Sequence, residues 1–336
     1  MVQACCKYNI NCDRFAINCL DGYYNSMQTR KYAMRWIIIP LAVIILIVVG
    51  FYLMSNHTMS DNQRGKLQIV AAENFWGSLV SQLGGDRVHV ASIVSDPNAD
   101  PHEYESDTAD ARAIATANYV VLNGAGYDTW ANKLLSASPN PNRKVLTVAT
   151  LVGKKEGDNP HLWYNPVYVN KAITQMDTDL IALDPSGKSY YLQQLKTLQA
   201  SLAGYQNRIK SIKQQFGGTK VAATEDIFAY LANAAGLDLV SPPAFTQAVA
   251  EGNDPPTDSV VTFQEQLQSG QVKVLVYNEQ TVTPLTNSIK KLAADNNIPV
   301  IGVTETIQPP DTRFQDWMNA ELIDLENALN AQTLGN

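Results

Sequence analysis

The segment around which this chain is organised reads Asn159-Pro160-His161-Leu162-Trp163-Tyr164-Asn165-Pro166. It follows one run of alternating strand and helix patterns and precedes a long helical segment that leads into a second such run. Prolines frame His161, fix φ and exclude a regular helix or a central strand, so the histidine is predicted on a rigid loop. We interpret the chain as two lobes joined here, with a ligand cleft at the boundary. The alternative is an ordinary loop histidine packed on Trp163.

The composition is that of a globular protein with an acidic body. The 336 residues are 45% hydrophobic and 17% charged, which suffices for two domains with cores of their own. Residues 1–35 hold five Lys or Arg and two Asp or Glu, and the remainder holds 20 basic and 30 acidic residues. The net charge of −10 on that remainder repels nucleic acid and favours cations.

The cysteines are confined to the start of the chain. Cys5, Cys6, Cys12 and Cys19 are the four in the sequence, so the globular body has no disulfides. Their spacing lacks the paired C-x-x-C pattern of a zinc site, which makes metal binding there the less favoured interpretation.

Residues 36–54 are an uncharged apolar run of 19 residues, preceded by Arg30, Lys31 and Arg35. A helix needs about 20 such residues to cross a bilayer, and the basic flank predicts a cytoplasmic N-terminus. The rival is a cleaved signal peptide, but its apolar part is usually only about 7–15 residues and no clean cleavage site follows here. Because no cysteine follows the run, lipoprotein processing is excluded there. We predict an uncleaved single-pass anchor that displays the body on the extracellular face of the cell membrane.

These features predict six parts of the chain. They are a cytoplasmic N-terminal segment 1–35 (in which Met27 or Met34 is an alternative start), a transmembrane anchor 36–54, a tether 55–65, an N-terminal lobe 66–166, a helical linker 167–218 and a C-terminal lobe 219–336.

Alternating strand and helix patterns predict the fold class of both lobes. Predicted strands lie at 67–72, 88–94, 119–122 and 144–149, and again at 220–223, 237–240, 272–277 and 299–303. Such alternation is typical of an α/β protein in which helices flank a parallel sheet. Between the lobes, residues 189–216 predict one long linker helix of roughly 40 Å. Its apolar stripe is Leu192, Leu195, Leu198, Leu202, Tyr205, Ile209, Ile212 and Phe216. The segment 241–258 is predicted to be a surface loop beside the cleft.

Four side chains that can bind a metal follow predicted strand ends. His102 and His161 follow strands of the first lobe, and Glu225 and Glu305 follow strands of the second. Ligands bind beyond the carboxyl ends of parallel strands, so these side chains are expected to meet. Two imidazoles and two carboxylates suit a divalent transition metal. Solvated loop glutamates are the alternative.

The segments that carry these residues resemble those of a known family. They are Asp100-Pro101-His102-Glu103-Tyr104-Glu105, Asn159-Pro160-His161-Leu162-Trp163, Thr224-Glu225-Asp226-Ile227-Phe228-Ala229-Tyr230 and Thr304-Glu305-Thr306. In this order they resemble the metal-binding segments of zinc- and manganese-type substrate-binding proteins of ABC importers, and the resemblance extends from about Lys66 to the C-terminus. It implies two α/β lobes joined by one long helix, and capture of Mn²⁺ or Zn²⁺ for delivery to ABC permease subunits. It also implies the ligands His102, His161, Glu225 and Glu305. We expect a monomer with no nucleic-acid partner.

The chain departs from the family pattern at several positions. Glu225 stands where relatives carry His or Glu, Glu305 where they usually carry Asp, and Asn165 where an Asp is usual. No histidine lies between His102 and His161, whereas some zinc-specific relatives have a His-rich insertion there. Oxygen ligands and the missing insertion favour manganese, with zinc as the alternative.

Two other function classes stay open from sequence. A metallohydrolase could use two histidines and a carboxylate, but the chain has no H-E-x-x-H motif and its body has no cysteine nucleophile. We therefore expect a binding protein and not an enzyme. A surface adhesin with a structural metal is the remaining alternative. We assign His57 and His89 no functional role.

Overall fold

The computed structural model describes residues 65–97 and 101–334 of the chain. This part folds as one compact unit that begins at Gly65. Within it, none of the helices has the length and apolar character needed to cross a membrane. Several predicted parts of the chain lie outside the described residues, namely the cytoplasmic segment, the anchor, the tether up to residue 64 and the cysteine cluster. Asp100, from the first of the four segments that resemble the family, also lies outside them.

Eight strands and eleven α-helices make up the described part of the chain. The strands are β1 Leu67–Glu73, β2 Val88–Val94, β3 Tyr119–Leu122, β4 Lys144–Thr147, β5 Lys220–Ala223, β6 Asp238–Leu239, β7 Leu275–Asn278 and β8 Val300–Val303. The helices are α1 Asn74–Gly84, α2 Thr108–Thr116, α3 Thr129–Ala137, α4 Val148–Val152, α5 Pro166–Leu183, α6 Lys188–Phe216, α7 Ala229–Ala234, α8 Pro243–Ala250, α9 Thr257–Gln268, α10 Pro284–Asp295 and α11 Phe314–Leu334.

The strands form two parallel sheets with the same topology. Their orders are β2-β1-β3-β4 and β6-β5-β7-β8. In the first sheet Val70 of β1 pairs with Ala91 of β2 on one side and with Val120 of β3 on the other. The predicted α/β fold, with two parallel sheets flanked by helices and one long helix, is thereby confirmed. The first strand of each half is internal, so the strand order reverses beside it, which is where a parallel sheet opens a crevice for a ligand.

The central strands are buried on both faces, as parallel strands require. In β1 the run from Ile69 to Glu73 is buried throughout, and so are all four residues of β3. Continuous apolar sequence in these strands therefore leaves only their carboxyl ends for polar side chains.

The predicted long helix is α6, which spans 29 residues, or about 43 Å at 1.5 Å per residue. It packs against α11, α5 and α1. The stripe is correct except at its start, because Leu192 is 41% exposed and Tyr191 is fully buried. The hydroxyl of Tyr191 donates to Asp184 Oδ2 at 2.8 Å, which turns this side chain inward and leaves its neighbour in solvent.

Two local predictions were wrong. The last strand of the first sheet ends at Thr147, and Val148–Val152 continues as helix α4. Segment 241–258 was predicted as a loop but contains α8, whose first residue is Pro243. A proline fits the first turn of a helix because its missing N–H has no partner there, so the prolines that suggested a loop mark a helix start. The prediction that this segment borders the cleft is confirmed, since Thr246 and Gln247 line it.

Candidate metal centre

Three of the four predicted ligands converge on one point in the cleft. The Nε2 atom of His102 lies 3.3 Å from Glu305 Oε2, and Nε2 of His161 lies 3.8 Å from the same oxygen. One ligand atom from each of the three residues lies within 4.8 Å of the others. His102 and His161 follow strands of the first sheet and Glu305 follows β8 of the second, so both halves of the fold supply this group.

His161 is held rigidly and is fully buried. Its backbone N–H donates to Asn159 Oδ1 at 2.9 Å, and its ring Nδ1 lies 2.9 Å from the same oxygen. Asp226 Oδ1 is 3.2 Å from Nδ1 on another side. These acceptors favour a proton on Nδ1, which leaves the Nε2 lone pair facing Glu305. Within the described part of the chain Nε2 makes no hydrogen bond, as expected of an atom kept for a ligand.

The loop around His161 leads into a capped helix. Asn165 caps α5 by accepting the N–H of Val167 at 3.0 Å, and Pro166 occupies the first helical position. Asn165, which departs from the family's aspartate, thus acts as a helix cap. Leu162–Tyr164 form a single 3₁₀ turn between His161 and the cap.

His102 is the solvent-facing member of the group. It lies in the 3₁₀ turn Pro101–Glu103, and its side chain is 23% exposed. Its ring packs edge-on against Tyr127, with centroids 4.8 Å apart, and against His161 at 5.6 Å. This histidine is therefore the member of the group that lines the cleft.

Glu305 is fully buried and held by both of its oxygens. Oε2 accepts from the Tyr127 hydroxyl at 2.7 Å, and Oε1 accepts from Asn278 Nδ2 at 2.8 Å. Burial by itself would raise the pKa of Glu305, but His102 and His161 and the hydrogen bond from Tyr127 lower that pKa to about 2. The carboxylate therefore stays ionised at neutral pH.

Glu225, the fourth predicted ligand, lies beside this group and outside it. Its carboxylate is fully buried, and its Oε1 contacts Asn278 Nδ2. The same amide nitrogen donates to Glu305, so one asparagine separates the two glutamates. The structure therefore brings three predicted ligands together and places Glu225 one amide away.

Sequence reasoning missed several residues that hold these ligands. Asn278 is the last residue of β7, where the same rule that selected Glu225 would have found it. Tyr127 lies in the loop after β3. The carboxylate of Asp128 closes this loop by accepting the N–H groups of Asn123 at 2.6 Å and Gly124 at 2.9 Å. Gly124 has φ +79°, and a Cβ there would meet Thr147 Cγ2 at 2.5 Å. The glycines of this loop thus signal a tight turn at the same edge of the sheet.

A cavity of about 740 Å³ lies outside the ligand group, with His102 in its wall. Its lining includes five acidic side chains, namely Glu103, Glu156, Asp158, Asp226 and Glu251. A cleft lined by one sign of charge concentrates ions of the opposite sign. The approach to the centre is therefore suited to cations.

Comparison with known proteins identifies the family of this chain. Residues 69–328 match the family model described as zinc-uptake complex component A, periplasmic. The chain belongs to this family. Its relatives are metal-type substrate-binding proteins of ABC transporters, which are binding proteins and not enzymes, so the resemblance seen in the sequence is confirmed.

Similar proteins within the family cover most of the chain. The metal ABC transporter substrate-binding lipoprotein FimA of Streptococcus parasanguinis is 25% identical over 282 residues, 80% of this chain and 88% of FimA. The manganese ABC transporter substrate-binding lipoprotein PsaA of Streptococcus pneumoniae is 24% identical over 286 residues, 80% of this chain and 88% of PsaA. Among solved structures, the crystal structure of ZnuA has a TM-score of 0.64 and 23% identity and covers 78% of this chain and 99% of its own. At this identity the structure supports the shared fold.

Proposed function

We propose that this protein captures a divalent transition metal, Mn²⁺ or Zn²⁺, outside the membrane and delivers it to an ABC permease. The observation that carries the proposal is the convergence of His102, His161 and Glu305 on one point between the two sheets, beside a cation-attracting cavity. Two neutral imidazole nitrogens and an ionised carboxylate are standard donors for such an ion.

Glu225 is proposed as the fourth ligand. Its carboxylate and that of Glu305 are both fully buried and share one amide donor in Asn278. Two carboxylates close together in a buried site are costly unless a positive charge balances them. A divalent cation between the glutamates and the histidines would supply that balance. A small rotation of Glu225 away from Asn278 is then the change expected on metal binding.

Manganese is the proposed cargo, with zinc as the alternative. Two carboxylates offer the oxygen ligands that Mn²⁺ favours, and a bidentate glutamate raises the coordination number above four. No histidine lies between His102 and His161, so the chain has no His-rich segment there to collect zinc. Zinc binds most nitrogen and oxygen sites more tightly than manganese, so affinity in vitro does not identify the cargo.

A cellular experiment therefore tests both transport and cargo. The gene is deleted, and cell-associated manganese and zinc are measured under limitation of each metal, with the gene restored in trans as the control. We expect manganese to fall and zinc to stay unchanged. Loss of zinc alone would reverse the choice of metal, and loss of neither would refute import, leaving a surface role such as adhesion.

The body is proposed to be tethered to the outer face of the membrane by residues 36–54. The basis is the uncharged run of 19 residues that follows Arg30, Lys31 and Arg35. Protease added to intact cells should digest the body, and the protein should sediment with membranes. A protein recovered wholly in the medium would contradict the anchor.

A further inference from the structure

A buried acid on α11 contacts both segments that carry the proposed ligands. Glu321 is only 8% exposed. Its Oε1 accepts the N–H of Thr304 at 3.1 Å, and its Oε2 lies 2.9 Å from the hydroxyl oxygen of Tyr164. Thr304 immediately precedes Glu305, and Tyr164 follows His161 by one 3₁₀ turn. Glu321 thus lies where the ligand segments of the two halves meet.

The number of hydrogen atoms available to Glu321, Tyr164 and Thr304 determines whether Glu321 is protonated. The hydroxyl oxygen of Tyr164 also lies 2.9 Å from the carbonyl oxygen of Thr304. A phenol has one hydrogen and a carbonyl has none, so an ionised Glu321 would leave one of the two contacts without a proton. A protonated Glu321 satisfies both, because its Oε2–H donates to Tyr164, whose O–H then donates to Thr304.

We propose that Glu321 is a positioning residue, held as a neutral carboxylic acid, that closes a hydrogen-bonded ring with Tyr164 and Thr304 and so fixes the His161 segment against the Glu305 segment. In this ring each of the three members donates once and accepts once. The consequence for metal binding rests on the proposed function. The ring itself does not.

The surroundings of Glu321 agree with a retained proton. Burial raises the pKa of Glu321 to about 8 and Glu279 adds to the rise, against the lowering effect of the contacts with Thr304, Tyr164 and Trp317. Burial also raises the pKa of Tyr164 well above its usual range, so the phenol keeps its hydrogen.

The helices packed on α11 bring little charge to this site. Towards α6, Arg208 is paired with Glu326, which lies five positions beyond Glu321. Towards α1 the contact is between the amides of Gln82 and Gln315. The pairing of Arg208 leaves its charge directed at Glu326 and not at Glu321.

Ionisation of Glu321 above about pH 8 should open the ring. The carboxylate can no longer donate to Tyr164, and a negative charge is buried. Glutamine reproduces the neutral acid at every pH, since its carbonyl oxygen accepts from Thr304 and its NH₂ donates to Tyr164. Comparing Glu321→Gln with the native protein therefore distinguishes a neutral Glu321 from an ionised one.

The first test measures Mn²⁺ release from the purified full chain into excess chelator by stopped flow, at pH 7 and pH 9. Glu321→Gln should match the native protein at pH 7 and release Mn²⁺ more slowly than it at pH 9. Tyr164→Phe removes both hydrogen bonds that Tyr164 makes in the ring. It should release Mn²⁺ about tenfold or more faster at pH 7, because each buried hydrogen bond contributes several-fold to about tenfold. Faster release by Glu321→Gln at pH 7 would overturn the proposal.

A matched control lies on the same helix. Glu326→Gln breaks the pair with Arg208 without touching the ring. It should follow the native protein at both pH values, and comparing variants at one pH cancels the effect of pH on the ion itself. A change as large as that in Tyr164→Phe would show that any weakening of α11 alters release, and would refute the positioning role.

The second test does not involve metal. The infrared difference spectrum of the native full chain minus Glu321→Gln at pH 7 should show the carbonyl band of a protonated carboxylic acid. An ionised-carboxylate band in its place would overturn the inference. If the native protein binds no Mn²⁺ and the acid band is present, the proposed function fails and the ring stands.

Discussion

At the scale of single residues, the centre is organised around one oxygen atom. Glu305 Oε2 has His102 Nε2 at 3.3 Å, His161 Nε2 at 3.8 Å and the Tyr127 hydroxyl at 2.7 Å. The Tyr127 hydroxyl donates to this buried oxygen, and the two ring nitrogens lie around it, so the three predicted ligands meet at one point.

Replacing His102 or His161 with alanine should abolish metal binding at this centre. A ligand that binds only the folded state raises the melting temperature by mass action, so the native full chain should melt higher with Mn²⁺ or Zn²⁺ than without. In either variant that increase should vanish, as measured by thermal melting with and without metal. His89→Ala, on strand β2, is the control and should keep the increase. An increase that survives both cleft substitutions would place the metal elsewhere.

Tyr127→Phe should weaken metal affinity while leaving all four proposed ligands in place. The variant loses the hydroxyl that donates to Glu305 Oε2, and loss of such a supporting bond typically costs about 10–100-fold in affinity. Competition titration with a chromophoric chelator gives the dissociation constant. Tyr104→Phe is the matched control, because the hydroxyl of Tyr104 donates to Asp110 and not to a proposed ligand. Equal affinities for the two variants would contradict a role for Tyr127.

At the scale of elements, α6 and α11 join the two sheets. α6 packs against α1, α5 and α11, and α11 also packs on β8. Polar contacts between α6 and α11 include the ion pair of Arg208 with Glu326 and the hydrogen bond from Arg208 Nε to Asn319 Oδ1 at 2.9 Å. The helices thereby hold the strand ends that carry the predicted ligands relative to each other.

Leu202→Ala in α6 should destabilise the protein by about 2–5 kcal/mol, because it deletes a fully buried side chain and leaves a cavity. Leu192→Ala, in the same helix, removes a side chain that is 41% exposed, and should change stability by no more than about 0.5 kcal/mol. Urea unfolding followed by circular dichroism measures both. Similar losses for the two variants would mean that the buried stripe begins at Leu192 after all.

At the scale of the whole molecule, net charge, cavity and ligand group act together. The chain carries a net charge of −7, and five acidic side chains line the cavity outside the ligands. Such a charge distribution attracts cations towards the cleft, where the proposed ligands lie. Proton concentration should oppose metal binding there.

Metal affinity should fall as the pH is lowered from 7 to 5. Imidazoles must be neutral to bind a metal, and an imidazole in solution titrates near pH ~6.5. Burial by itself would raise the pKa of Glu305, but the two histidines and Tyr127 lower it to about 2. This carboxylate therefore stays ionised over the whole range from pH 7 to pH 5. The loss should therefore follow the histidines and approach two protons per metal. Isothermal titrations in buffers of different pH measure it, and an affinity independent of pH would exclude histidine ligands.

Much of the architecture is determined by local sequence pattern. Continuous apolar strands such as Tyr119–Leu122 and the three-to-four-residue repeat of α6 indicate which faces are buried, because burial follows the period of each element. Polar residues that follow the predicted strands were selected because ligands bind beyond the carboxyl ends of parallel strands. Of these, His102, His161 and Glu305 do meet. The four segments that resemble the family's metal-binding segments also predicted the family, which the match over residues 69–328 confirms.

Other features were decided only by tertiary structure. Tyr127 and Glu305 are 178 positions apart, and Tyr164 and Glu321 are 157 apart. Contacts at such separations depend on how two sheets and two long helices pack, and no local period encodes that packing. The position of Glu225 beside Asn278 has the same origin, because these residues are 53 positions apart. Sequence determined which side chains reach the strand ends, whereas packing between distant elements decided which of them converge on one point and which share a hydrogen-bond donor.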